Sequence, residues 1–258
     1  MSLSDMYRCC SQARERRPRY ASQPPTKEFD MSYVFTPPPA VSLPVRGQDD
    51  RFPVHRVYCV GRNYAEHAIE MGHDPDKEPP FFFQKNPDNL IVPDLKFPYP
   101  PQSNDVHHEI EMVVALKKGG TDIPVEDALD CVYGYAVSLD MTRRDLQGQM
   151  KKLGRPWEIG KAFEMSAPCG EIVPASDIGH PENGTVWLKV NGEMRQEGDL
   201  NQMLWKVPEM ISYLSGLFEL VPGDIIMSGT PAGVGPVVRG DVMHGHVEGV
   251  GDLIVNVT

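Results

Sequence analysis

The chain has 258 residues, 40% of them hydrophobic and 24% charged, with 36 acidic against 25 basic side chains and a formal charge of −11. That balance excludes a strongly cationic binding module and argues against nucleic-acid or anionic-membrane partners, which demand a positive footprint. No apolar run approaches the ~20 residues of a membrane helix, and the five cysteines (Cys9, Cys10, Cys59, Cys131, Cys169) form no CxxC pair, so reduced thiols in a cytoplasmic protein fit better than a disulfide framework.

Residues 1–30 carry Arg8, Arg14, Arg16, Arg17 and Arg19 without sustained apolar periodicity, and are expected to be a disordered extension ahead of a second plausible start at Met31. An organellar transit peptide is the alternative, disfavoured because proline interrupts any amphipathic helix there. Residues 31–53 read as a Pro-rich extended segment, and residues 54–258 as the catalytic domain.

Short strands then dominate. "HRVYCVG" is a compact strand closed by Gly61, and "NYAEHAIEMG" has helical spacing with Gly72 as its stop. "FFFQKNPDN" and "FPYPPQSND" are strand and turn material with too much proline for a helix. "EMVVAL" and "CVYGYAVSLD" are apolar strands, and "TRRDLQGQMKKLG" is an exposed helix. "TVWLKVNGEMRQEG" predicts a hairpin turning at Asn191-Gly192. "VPEMISYLSGLFELVPGD" holds an amphipathic helix, and "DIIMSGTPAGVG" and "GDLIVNVT" supply the last strands.

The stretch "HHEIEMVVAL" places Glu109 and Glu111 two apart on a strand, hence on one face with His107, while Ile110, Met112 and Val114 take the other. Two adjacent carboxylates repel each other and are costly at the edge of a core. A solvated surface pair is the ordinary explanation. A third acid, Asp140, ends the next apolar strand. Together the three make a hard-oxygen set suited to Mg²⁺ or Mn²⁺, with Ca²⁺ as an alternative, rather than zinc. In "GRNYAEHAIEMG", His67 and Glu70 are three apart on a helix, where a carboxylate can orient an imidazole as a general base; an exposed surface pair is the competing explanation.

Taken together, "VYCVGRNYAEHAIEMG", "HHEIEMVVAL", "YAVSLDMTRRDLQ", "PWEIGKAFEMSAP" and "VPGDIIMSGTPAGVG" resemble the fumarylacetoacetate hydrolase family, in that family's order and over about residues 54–258. The resemblance implies an α+β, β-rich fold, a mixed β-sandwich roll with short flanking helices, in a homodimer. It implies metal carboxylates at Glu109, Glu111 and Asp140, loaded with Mg²⁺ or Mn²⁺, and a water-activating pair at His67 and Glu70. It further implies an active-site lysine at Lys161, polar groups near substrate at Arg144 and Gln147, and a carboxylate contact at Thr230.

The implied activity is hydrolysis of a C–C bond in a 2,4-dioxo acid, with the residues most like the members that cleave fumarylpyruvate to fumarate and pyruvate in gentisate breakdown. Acylpyruvases, oxaloacetate decarboxylases and isomerases of unsaturated dioxo acids share such a site, and a non-enzymatic metal-binding roll is the contrasting class. Lys85 and Asn86 are expected at the distal end of an extended substrate, where a second carboxylate would want a cation. "HGHVEG" (His244, His246, Glu248) reads as a solvated turn, and "GTPAGVG" lacks the Lys-Ser/Thr of a phosphate loop.

Overall fold

The structure, a computed structural model, describes residues 32–70, 79–91 and 96–258. The expected N-terminal extension and the Gly72 helix stop lie outside the described residues. Contacts divide the chain into residues 1–37 and residues 38–258, and everything below concerns the second unit.

Its centre is a six-stranded mixed sheet in the spatial order Val173–Pro174, Val132–Leu139, Ile110–Leu116, Asp224–Met227, Arg56–Gly61, Phe81–Lys85. All seven residues of Ile110–Leu116 are buried. Alternation along this strand feeds two cores. Ile110, Met112, Val114 and Leu116 enter one hydrophobic cluster, and Val113 and Ala115 the other. A strand covered on both faces reads as a nearly unbroken apolar run, which is why "EMVVAL" carries so little polar punctuation.

A five-stranded sheet ordered Glu193–Asp199, Thr185–Val190, Val242–Val247, Gly251–Val257, Lys96–Phe97 supplies the opposing layer. Its Val186, Leu188, Met243, Val247, Leu253 and Val255 share the first cluster with Ile110 and Met112. The layers meet so closely that a Cβ on Gly245 would lie 2.5 Å from Ile110 Cδ1. Leading into this sheet's edge, Asn191 (φ 52°) and Gly192 (φ 84°) make the tight positive-φ turn that the sequence predicts. The helix Val207–Leu217 starts with a capping box, Lys206 N–H donating to Glu209 at 2.8 Å, and buries Met210, Ile211 and Leu214. The α+β, β-rich sandwich expected from the sequence is the architecture found.

The folded unit begins upstream of Val54, contrary to expectation. Ser42–Pro44 pairs antiparallel with Arg51–Pro53, and Leu43 (0% exposed) and Phe52 (7%) lie in the second core. Proline at the ends of these three-residue strands hides them from a propensity reading. It is tolerated because edge strands leave ladder positions unpaired.

Candidate metal and active site

Sheet pairing assembles the three acids. Ile110–Leu116 runs antiparallel to Val132–Leu139 with Ile110 opposite Leu139, and Asp140 N–H donates to the Glu109 carbonyl at 2.8 Å. This brings the start of one strand to the end of the other. Glu109, Glu111 and Asp140 thus offer oxygens that all lie within 4.8 Å of one another, on residues 5%, 2% and 0% exposed. His107, expected on the same face, does not join them. The ladder breaks at Glu109, between Val106–His108 and Ile110–Leu116, and His107 Nε2 bonds Asp105 at 2.8 Å instead.

Three cations, the buried Lys161 and Lys85 and the partly buried Arg144, hold Glu109 and Asp140. Lys161 Nζ donates to Glu109 Oε2 (2.8 Å), Asp140 Oδ2 (2.6 Å) and Thr142 Oγ1 (2.7 Å), which occupies all three ammonium protons. Arg144 pairs with Glu109 Oε1. Lys85 Nζ donates to Ser166 Oγ (2.9 Å) and to the carbonyls of Met141 and Lys161, and lies 2.9 Å from Asp140 Oδ1. With its protons spent elsewhere, that last contact is one of charge, and Asp140 Oδ1 is a buried oxygen without a hydrogen-bond donor.

Burial alone would raise the Glu109 carboxyl, but Lys161 and Arg144 hold it well below the ordinary carboxylate range. Glu111 shows the opposite balance. Burial, Asp140 and Glu109 push it well above that range, with Lys161 and one hydrogen bond from Gly229 N–H (2.9 Å) opposing. Among the described residues no cation pairs directly with Glu111, whereas Glu109 and Asp140 each meet two. A dication fits a Glu111 that lacks a cation, the Asp140 oxygen without a donor and the all-oxygen donor set. Gly229 is required here, since it sits at φ 92° and a Cβ would meet Asn63 Cβ at 2.7 Å.

His67 faces the same cleft from the short helix Ala65–Glu70, with Glu70 as its carboxylate partner. His67 Nδ1 lies 3.2 Å from Glu70 Oε2, and Glu70 also accepts from Gly233 N–H at 3.2 Å. A carboxylate partner favours the Nδ1–H tautomer and leaves Nε2 as the basic nitrogen. Burial pushes the His67 pKa below the ordinary imidazole value, with Glu109 and Glu70 opposing, so the ring is neutral near pH 7.

The cleft, about 390 Å³ with open solvent included, is lined by the three acids, Lys161, His67, Arg144, Gln147 and Thr230. Gln147 Oε1 accepts from Arg144 (2.8 Å), so its NH₂ group is the donor offered to the cleft. Glu70 meets this set through His67.

Lys85 and Asn86 are not in the lining. Phe81, Phe83 and Lys85 share one face of their strand, but only the two aromatics reach the cleft, and Lys85 runs beneath it to Asp140. Asn86 is exposed and opens the turn Pro87–Asn89.

Two cations not anticipated from the sequence occupy the rim instead. Arg62 stacks on Phe81 (5.0 Å) and Lys151 on Trp157 (5.0 Å), and the two rings meet edge to face at 5.2 Å. Burial, Arg144 and Arg62 hold Lys151 down to about 8. A signal for Lys151 was present in the sequence: Arg144, Gln147 and Lys151 stand at i, i+3 and i+7 of the helix Arg144–Leu153, one face of it. His244 and His246, expected in a solvated turn, lie instead on the strand Val242–Val247, whose Met243, Gly245 and Val247 are buried, and share Asp252 Oδ1 at 2.9 and 3.1 Å, outside the cleft lining.

A family model described as fumarylacetoacetate (FAA) hydrolase C-terminal matches residues 56–258. The crystal structure of fumarylpyruvate hydrolase from Pseudomonas aeruginosa, in complex with Mn²⁺ and pyruvate, superposes with a TM-score of 0.87 at 55% identity, covering 88% of this chain and 99% of that one. A fumarylpyruvate hydrolase of a Ralstonia species is 42% identical over 72% of this chain and 98% of its own. The mitochondrial oxaloacetate tautomerase of Bos taurus is likewise 42% identical, over 75% of this chain and 87% of its own. The match runs through the strands and loops that place the buried acids, the His67 helix and Lys161, and by it the chain belongs to the fumarylacetoacetate hydrolase family.

Proposed function

We propose that the protein is a divalent-metal-dependent hydrolase that cleaves the C3–C4 bond of a 2,4-dioxo acid carrying a distal carboxylate, with fumarylpyruvate the preferred substrate. The observation that carries this reading is the meeting in one cleft of a buried three-carboxylate cluster, an oriented neutral imidazole and a cationic rim. Similarity supports it, since relatives with that activity align over nearly their whole length.

Glu109, Glu111 and Asp140 would hold Mg²⁺ or Mn²⁺, which supplies Lewis-acid stabilisation to charge developing on the C2 oxygen. The protein's own groups account for the rest. His67 Nε2 removes a proton from water as its oxygen adds to C4, with Glu70 bearing the imidazolium charge. The Gln147 NH₂ group donates to the oxyanion formed at C4. Lys161 is not free for that task, because its three protons already order Glu109, Asp140 and Thr142. When C3–C4 breaks, its electron pair passes to the enolate of pyruvate, and protonated His67 returns the proton to C3. Thr230 meets the C1 carboxylate, and Lys151 with Arg62 the distal one.

The test is a substrate panel in Mg²⁺ or Mn²⁺: fumarylpyruvate, maleylpyruvate, acetylpyruvate and oxaloacetate. Fumarylpyruvate is expected to show the highest kcat/KM, with fumarate and pyruvate released in equal amounts. Oxaloacetate turned over faster than any acylpyruvate would replace the reading with a lyase or tautomerase on the same site.

A further inference from the structure

Gln196 lies in the strand Glu193–Asp199 of the five-stranded sheet, is 1% exposed, and is not part of the cleft lining. Its amide nevertheless makes four hydrogen bonds. Oε1 accepts from Ile110 N–H (3.1 Å) and His108 Nδ1 (2.9 Å), and Nε2 donates to the Pro231 carbonyl (2.9 Å) and to Thr230 Oγ1 (2.8 Å). The orientation of this amide is settled by its partners: a backbone N–H only donates and a carbonyl only accepts. Both Nε2 protons are therefore committed, one of them to Thr230.

Thr230 Oγ1 is thus an acceptor toward Gln196, and its single proton remains to be given elsewhere. Among the described residues no acceptor takes it, and Thr230 lines the cleft. The segment that carries Thr230 is pressed onto the Gln196 strand: a Cβ on Gly233 would lie 2.1 Å from the Arg195 carbonyl, and one on Gly198 2.8 Å from Pro231 Cβ. Gly233 in turn donates to Glu70.

We infer that Gln196 is a positioning residue: by donating to Thr230 Oγ1 it commits the Thr230 hydroxyl to donate into the cleft, toward a carboxylate oxygen of the substrate, while its carbonyl holds the backbone beside Glu109. This rests on the proposed reading only in requiring that a 2-oxo acid occupy the cleft. Pyruvate is a sufficient probe, since it carries that group and needs no turnover. In Gln196→Glu the new carboxylate only accepts, so Thr230 turns its proton away from the cleft. In Gln196→Met the hydroxyl loses its restraint.

The experiment is a double-mutant cycle of Gln196→Glu and Gln196→Met with Thr230→Val, read as the pyruvate Kd of the Mn²⁺-loaded protein by calorimetry, with Thr230→Ser as the conservative variant and thermal melts alongside. Gln196→Glu is expected to weaken pyruvate about 10-fold and Gln196→Met less, with Mn²⁺ affinity unchanged. Neither is expected to have further effect once Thr230→Val is present, whereas the response persists with Thr230→Ser. Equal losses in the Thr230→Val and parent backgrounds would make Gln196 merely structural and overturn the inference. If both Gln196 variants fail to fold, Thr230→Val alone decides, because an unchanged pyruvate Kd overturns the donor role. A parent that cleaves no acylpyruvate but binds pyruvate breaks only the proposed reaction, while a parent that binds no pyruvate breaks the site reading and the inference together.

Discussion

The floor and the walls of the cleft are built by different means. The floor is the junction of two long paired strands, where backbone register holds Glu109, Glu111 and Asp140 together and Lys161, Lys85 and Arg144 fix Glu109 and Asp140. The walls are the six-residue helix carrying His67 and Glu70, joined to the neighbouring loop through Gly233, and an aromatic rim on which Arg62 and Lys151 rest. A rigid floor suits fixed charges that must stay close against their own repulsion. Walls of short elements can change substrate contacts without disturbing that charge balance. Removing a floor residue should therefore cost everything the site does, and removing a wall residue only one step or one substrate.

The largest effect expected is on the floor. Glu109→Gln should abolish Mn²⁺ binding and with it every activity, seen together in a metal titration and in turnover. A variant that binds Mn²⁺ as the parent does, yet is inactive, would move Glu109 from the floor to the walls. Next is His67→Ala, expected to lower hydrolysis by roughly 10²–10⁴-fold while Mn²⁺ affinity holds. Decarboxylation of oxaloacetate, which needs no activated water, should be spared.

Smaller is Lys151→Met, expected to raise KM for fumarylpyruvate roughly 10- to 150-fold, as loss of a charge-assisted contact would. Acetylpyruvate, lacking the distal group, should be almost unaffected. Lys85→Met makes the sharper contrast, since it strips the buried Asp140 of one of its two cations. It should cost about 3–5 kcal/mol of stability in denaturant titration and impair all substrates alike. A selective loss of fumarylpyruvate in Lys85→Met would return Lys85 to the substrate.

The smallest effect is in the pH profile. His67 acts as a base when neutral, and burial sets its pKa below the ordinary imidazole value. The base form thus persists as pH falls past about 6.5, and kcat/KM for hydrolysis should decline only below that point. An acidic limb centred above the ordinary value would mean that another group is the base, whereas activity that rises as pH falls through that range would mean that His67 works as an imidazolium.

Periodicity holds where one regular element runs unbroken, and it fails for His107, where the ladder breaks at Glu109. The two-residue period places Glu109 and Glu111 on one face and Ile110, Met112 and Val114 on the other, as the two cores require. The three-residue offset joins His67 to Glu70, and Asn191-Gly192 turns its hairpin because both residues tolerate positive φ. Side-chain destinations are another matter. Lys85 shares a face with Phe81 and Phe83 by the same period, yet its partners Asp140, Ser166 and the Lys161 carbonyl lie 55, 81 and 76 positions on, and only the packing of separate elements sends its ammonium below the cleft rather than into it.

The upstream strands at Leu43 and Phe52 escaped for a related reason: three residues ending in proline carry no usable periodicity until a core is present to receive them. Gln196 is the clearest case. Within its hairpin it is one polar residue among many, and its role exists only because Ile110, 86 positions away, and Thr230, 34 positions away, are folded onto the same amide. Periodicity determines which face a side chain takes, since it follows from backbone geometry within a few residues. Which groups meet across that face is decided by long-range closure, whose contacts leave no local trace in the chain.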